Sequence, residues 1–318
     1  MDINLKIGID IGSTTVKLVV LDGDNNVVHT DYRRHNMNVR ETVQTVLQPI
    51  ADHFEGAQLR IAITGSVGMG YADLWGFPFV QEVVSAATLV KESYPQTRTF
   101  IDIGGEDSKM IFFGEGRMPD IRMNGNCAGG TGAFIDQTAS LLNVETGELN
   151  ALAEQAKRVY PIASRCGVFS KTDIQNLLAR NVSKADVAFS VFHAVCLQVL
   201  GTLSRGVDVQ SPVFFCGGPF AFLPMLKKVF LENLQLTDND CVAVADARVV
   251  PAHGAALMSR TACPEPLPVA RFMETIRNQA MGDESRLLSN RLDPLFTDKQ
   301  HFEKWKADKQ NFFVSRVG

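Results

Sequence analysis

The residues most able to do chemistry in this chain are two cysteines, two strand-end aspartates and several glycine-rich turns. Cys127 lies in the glycine-dense stretch Asn124-Gly-Asn-Cys127-Ala-Gly-Gly-Thr-Gly-Ala-Phe134, and Cys166 lies in Ser164-Arg-Cys166-Gly-Val-Phe-Ser170. Each precedes a segment that reads as helix, and the amides and dipole of a helix N-terminus favour a thiolate. Two such thiols point to a shared ligand. Asp10 closes an apolar strand, Leu5 to Ile11, and is followed by Gly12, Ser13, Thr14, Thr15 and Lys17. Small residues let the backbone approach a phosphate, while N–H groups and hydroxyls supply donors. Taken alone, this turn reads first as an ordinary hairpin.

The same pattern recurs. A strand from Arg98 to Ile103 contains Asp102, and Gly104, Gly105, Glu106, Asp107 and Lys109 follow before a strand from Met110 to Phe113. Each copy runs strand, aspartate, aliphatic residue, glycine, polar turn, lysine, strand. Duplicated halves facing each other across a cleft need one phosphate loop from each. A third turn, Gly217-Gly218-Pro219, joins a strand (Pro212 to Cys216) to a helix (Ala221 to Phe230). It suits the flat approach of a ring or ribose, and equally a tight turn needing positive φ.

The elements that must position these groups follow from periodicity. Helices are expected from Asn38 to Phe54, with Val43, Val46, Leu47 and Ile50 on one face, from Glu82 to Tyr94, and from Ala185 to Leu203. Leu59 to Thr64 reads as a buried strand, and Val249 to Leu257 opens the last compact helix. Pro264, Pro266 and Pro268 mark a linker, so the chain from Cys263 onward reads as an appended tail. At 318 residues, 45% of them apolar, the chain can bury a sizeable core. A net charge of −4 gives no electrostatic reason to expect nucleic acid or an anionic membrane. The N-terminus shows no signal-type segment, and no apolar run approaches the ~18 to 20 residues of a spanning helix. Six cysteines in so long a chain do not form a disulfide framework. The expectation is a cytoplasmic protein in which Cys196, Cys216, Cys241 and Cys263 are structural thiols.

In order along the chain, Asp10 to Lys17, Asp102 to Lys109 and Phe214 to Phe220 resemble the two phosphate loops and the adenosine turn of the actin, Hsp70 and sugar kinase superfamily. Connecting helices are expected near Phe169 to Leu178 and at Ala252 to Met258. The resemblance implies a duplicated ribonuclease H-like α/β ATPase fold, two domains around a nucleotide cleft. Residues 1–97 with 252–260 would form one domain, 98–251 the other with the cysteine loops, and 261–318 the tail. Within that superfamily, Asn126-Cys127-Ala-Gly-Gly-Thr-Gly132 together with Cys166-Gly-Val-Phe169 resembles the ATP-dependent activators of 2-hydroxyacyl-CoA dehydratases and the ATPase subunits of benzoyl-CoA reductase. The helix after Cys166 and the tail with Leu292-Asp-Pro-Leu-Phe296 resemble the first ATPase module of long fused activase–dehydratase proteins.

What the resemblance implies is specific. Cys127 and Cys166 would be metal ligands, giving two thiolates to a 4Fe–4S cluster shared between subunits or modules. ATP hydrolysis would drive one low-potential electron to a dehydratase or reductase, with a reduced ferredoxin or flavodoxin as donor. The assembly would be a homodimer, or a pseudo-dimer with a second module. Asp10 and Asp102 would organise Mg²⁺ around the phosphates of ATP or ADP. Gly12, Ser13, Thr14, Thr15 and Lys17, with Gly104, Gly105, Asp107 and Lys109, would bind phosphate, and Gly217, Gly218 and Pro219 the adenosine. Two positions depart from the simple activators. Glu106 replaces a usual glutamine, and reads either as positioning or deprotonating the attacking water or as a carboxylate near Mg²⁺. Ser170-Lys-Thr-Asp173 replaces an acidic stretch. The competing readings are a small-molecule kinase of the same fold and a nucleotide-binding scaffold module of a larger fusion.

Overall fold

The computed structural model describes residues 4–124, 128–164, 166–278 and 294–310. Cys127, and the tail segment that begins at Leu292, therefore fall wholly or partly outside the described residues. The chain divides into two units, 1–279 and 280–318.

The first unit holds two sheets built on one plan. In the first, β1 (Asn4–Ile11), β2 (Thr15–Leu21) and β3 (Val27–Arg34) form an antiparallel meander, and β4 (Gln58–Thr64) joins β1 in parallel. In the second, β5 (Thr99–Ile103), β6 (Ser108–Phe112) and β7 (Asp120–Asn124) repeat the meander, and β8 (Val213–Cys216) joins β5 in parallel. The central strands are near-continuous apolar runs because both of their faces are covered, whereas β3 is a polar edge. The registers coincide at the candidate site residues: Asp10 pairs with Lys17, and Asp102 with Lys109.

Helices cover the faces. α1 (Val39–His53) packs Val43, Val46, Leu47 and Ile50 against the first sheet, in a core that also takes Trp75 from α2 (Gly68–Trp75). α3 (Glu82–Ser93) packs Ala86, Leu89 and Val90 against Phe100, Ile111 and Phe214 of the second sheet. The opposite face of that sheet carries the largest core. It is built from α4 (Gly132–Leu142), α5 (Glu148–Glu154), α6 (Gly167–Ala179), α7 (Lys184–Leu203), α8 (Gly218–Phe222) and α9 (Pro224–Leu234). α10 (Val250–Ala262) lies on the first sheet, with Ala252 and Ala256 against Val19 and Leu21.

Four expectations change. The helix foreseen at Ala221 to Phe230 is two, because Pro224 starts a new one. The helix after Cys166 is not a connector: α6 packs with α4 and α7, and the helices meeting between the sheets are α3 and α10. Their approach is close, and a Cβ on Gly254 would collide with the Ser85 carbonyl. The tail does not begin at 261. β9 (Leu267–Pro268) pairs with β4, and α11 (Val269–Asn278) buries Val269, Phe272, Met273 and Ile276 in the first core. The prolines there start an amphipathic helix instead of a linker. Finally, α7 is by length and composition apolar enough to cross a membrane, and here most of it is buried as a core helix. In the second unit, α12 (Lys299–Gln310) carries Phe302 and Trp305, whose rings pack with Phe296.

Candidate functional site

The two hairpins bring their loops together. A Cβ on Gly105 would collide with the Thr14 hydroxyl, so the first loop touches the second. Each loop is closed by the same backbone bond, Gly12 N–H to Thr15 carbonyl at 2.9 Å and Gly104 N–H to Asp107 carbonyl at 2.9 Å. Beside each aspartate, the parallel strand ends in a glycine of positive φ, Gly65 at 97° and Gly217 at 100°. A side chain at either would be strained and would meet the neighbouring aspartate.

Between the halves lies a cleft of about 580 Å³, lined by Thr14, Thr15 and Lys17, by Gly104 and Gly105, and by Gly217, Gly218 and Pro219. A smaller compartment of about 190 Å³ continues from it past Asp10, Gly12, Ser13, Ser66, Glu106 and Asp107. Asp102 lines the larger space, Asp10 the smaller, and Thr14, Thr15, Lys17 and Glu82 both. The structure thus gathers nearly every residue expected to bind nucleotide. Lys109 is placed differently: it is 1% exposed and lines neither compartment. Its ammonium lies 2.8 Å from Glu82, 2.9 Å from Asp107 and 3.6 Å from Asp102.

The electrostatics follow from burial. Lys17 donates to Asp10 at 2.7 Å with the Asp10 carboxylate buried. Burial pushes the Asp10 carboxyl up, and Lys17 only partly opposes it. Burial likewise raises Asp102 to about 6 against the pull of Lys109. At Glu82, burial acts upward too, but Lys109 and Lys17 outweigh it and its carboxyl lies below the usual range. Burial alone would lower both lysines; the surrounding carboxylates hold them above their ordinary value. Among the described residues no three metal-ligating side chains converge on one point. Four carboxyl groups, Asp10, Glu82, Asp102 and Asp107, thus stand around two ammonium groups, Lys17 and Lys109.

Glu82 escaped the sequence reading because it sits in no motif; its only signal is an acidic residue in the first turn of a helix. Tyr32, Phe222 and Arg248 escaped for a similar reason, being gathered from separate elements. Their rings lie 5.6 Å apart, and the Arg248 guanidinium, paired with Asp246 at 2.7 Å, lies 5.8 Å over Tyr32.

The cysteine segments border this site. The α4 amides of Gly132 and Ala133 donate to the carbonyls of Gly104 and Gly105 at 2.9 and 2.7 Å. These N-terminal amides thus serve the second phosphate loop, which revises the expectation that they serve a thiolate. Gly167, next to Cys166, packs against Gly129, two residues beyond Cys127: a Cβ there would lie 3.5 Å from the Gly129 nitrogen. Cys166 is partly exposed at the start of α6. Cys196 and Cys216 are buried, and burial raises the Cys196 thiol to about 12 and pushes the Cys216 thiol well up too. Cys263 is buried too, and Cys241 bridges to Val213, at the end of β8 away from the cleft.

Residues 7–259 match the family described as the BadF/BadG/BcrA/BcrD ATPase family. The (R)-2-hydroxyglutaryl-CoA dehydratase activating ATPase of Acidaminococcus fermentans is 30% identical over 217 residues, 67% of this chain and 82% of that one. The 2-hydroxyisocaproyl-CoA dehydratase activator of Clostridioides difficile is 29% identical over 215 residues, 66% of this chain and 79% of that one. The crystal structure of the A. fermentans (R)-2-hydroxyglutaryl-CoA dehydratase component A aligns with a TM-score of 0.71 at 27% identity, covering 81% of this chain and 98% of that one.

Proposed function

The chain belongs to the BadF/BadG/BcrA/BcrD ATPase family, and from that premise we propose that it hydrolyses ATP between its two phosphate loops to gate electron delivery to a dehydratase- or reductase-type acceptor. One observation carries the coupling: the second phosphate loop is hydrogen-bonded through Gly104 and Gly105 to the helix that follows Cys127. A nucleotide that shifts this loop shifts α4, and differential affinity for the two positions supplies the driving force.

In this reading Gly12, Ser13, Thr14 and Thr15, with Gly104 and Gly105, hold phosphate oxygens, and Lys17 neutralises them. The adenosine lies along Gly217, Gly218 and Pro219. Asp10 and Asp102, one hard oxygen donor beside each loop, would organise Mg²⁺, with phosphate oxygens and water filling its other positions. Hydrolysis adds water oxygen to the γ-phosphorus and breaks its bond to the ADP oxygen. Glu82, kept ionised by two lysines and lining both compartments, accepts a hydrogen bond from that water, and exposed Glu106 flanks it.

Cys166 suits the role of an iron–sulfur cluster ligand. Cys166 is accessible, the segment after Cys127 packs beside it, and the Cys196 and Cys216 thiols are too buried to ionise. A 4Fe–4S cluster takes four thiolates, so Cys127 and Cys166 with the same pair from a second copy or module would hold it, and when bound it supplies one low-potential electron. A reduced ferredoxin or flavodoxin is the donor class.

Phosphate release tests the enzymatic half. Asp10→Ala should lower ATP turnover by about 100-fold or more, the loss that follows removal of one preorganised electrostatic group. Turnover unchanged in that variant would refute the site.

A further inference from the structure

Outside the phosphate loops, one ion pair crosses the mouth of the cleft. Arg34, the last residue of β3, reaches Asp136 on α4 in two-pronged fashion, at 2.9 and 3.3 Å. Thr146 donates to the same carboxylate at 2.7 Å, which fixes its orientation. Arg34, Asp136 and Thr146 all line the cleft, 102 residues separating the two charged partners.

What lies behind each partner gives the pair its meaning. Arg34 is followed by His35, which is buried and bonded to the first phosphate loop. The His35 N–H donates to the Thr14 carbonyl at 3.1 Å, and its ring Nε2 lies 3.2 Å from the Gly12 carbonyl. Asp136 stands on the helix whose first two amides are bonded to Gly104 and Gly105 of the second loop. Each phosphate loop is thus wired to one side of the pair through two backbone hydrogen bonds or one bond and a ring contact. The pair closes a ring: first loop, His35, Arg34, Asp136, α4, second loop, and back through the Thr14–Gly105 contact.

We propose that Arg34 and Asp136 are positioning residues that latch the cleft over bound nucleotide and hold α4, with the segment after Cys127, in its closed-cleft position. This rests on the nucleotide site proposed above. Neither residue touches the phosphates in this reading; both act through the loops. A planar guanidinium is suited to the task, because its two-pronged contact fixes direction as well as distance. Arg34 is exposed and Asp136 half-buried, so the latch is weak enough to open in each cycle.

The test is release of N-methylanthraniloyl-ADP from the full chain by stopped flow, with competition by unlabelled ADP. Arg34→Ala and Asp136→Ala should each release the probe about two- to fivefold faster, the range a part-exposed ion pair supports. The exchanged double variant Arg34→Asp with Asp136→Arg should restore slow release, which a merely structural role for either side chain would not produce. Raising salt should speed release from the wild type by a larger factor than from the single variants, which keep only the salt dependence of the phosphate contacts. Release at the wild-type rate in both single variants, or fast release in the exchanged variant, would overturn the latch. Failure of the wild type to bind the probe at all would overturn the nucleotide site, and the latch with it.

Discussion

Asp102 shows how burial sets both chemistry and stability at one residue. Its carboxyl is raised from 3.8 to about 6, burial first and the nearby carboxylates Glu82 and Asp107 second, against the opposing charge of Lys109. A raised carboxyl means that the folded state holds the proton more tightly than the unfolded chain. Its contribution to stability is complete below pH about 4 and lost as pH rises through about 6. In protein free of nucleotide and metal, Asp102→Asn should therefore gain stability relative to wild type by roughly 3 kcal/mol between those limits. Urea denaturation at a series of pH values measures this, and a pH-independent difference would refute it. The aspartate itself was legible in the sequence, as a strand-end acid repeated after Asp10. The nearby Glu82 was not, since a residue 27 positions before Lys109 meets it only once α3 has packed on the second sheet.

At the scale of elements, the strands and the two glycine-bearing turns were readable because each is local: apolar runs bounded by glycine turns. Three features were not. β7 is short and polar, and pairs only because β6 offers its free edge. α11 looked like tail after three prolines, yet its Phe272 and Met273 fill a gap beside Trp75 and α1 that the first sheet alone leaves open. The pairing of α3 with α10 depends on close approach, and small residues announce the possibility of contact without naming the partner. Gly254 is where that contact is tightest. Gly254→Ala should destabilise the fold by about 1 to 3 kcal/mol, since the Ser85 backbone cannot yield as a side chain could. A denaturation midpoint equal to wild type would show that the two helices do not meet there.

For the whole molecule, the duplicated plan gives one chain two loops that face the same cleft. Two equivalent sheets supply two equivalent loops, and a ligand held by both reports on their separation. Family membership and the alignment to component A agree with that plan. The proposed coupling adds Cys166, where α6 begins, and Cys127, which precedes α4 in the sequence. Anaerobic reconstitution with iron and sulfide tests that claim most directly. A 4Fe–4S cluster shared by two chains should give a brown protein that binds about two iron atoms per chain. Colour and iron should be lost in Cys127→Ser and in Cys166→Ser and retained in Cys241→Ser. A colourless wild-type protein, or colour and iron that survive removal of Cys127 and Cys166, would contradict it.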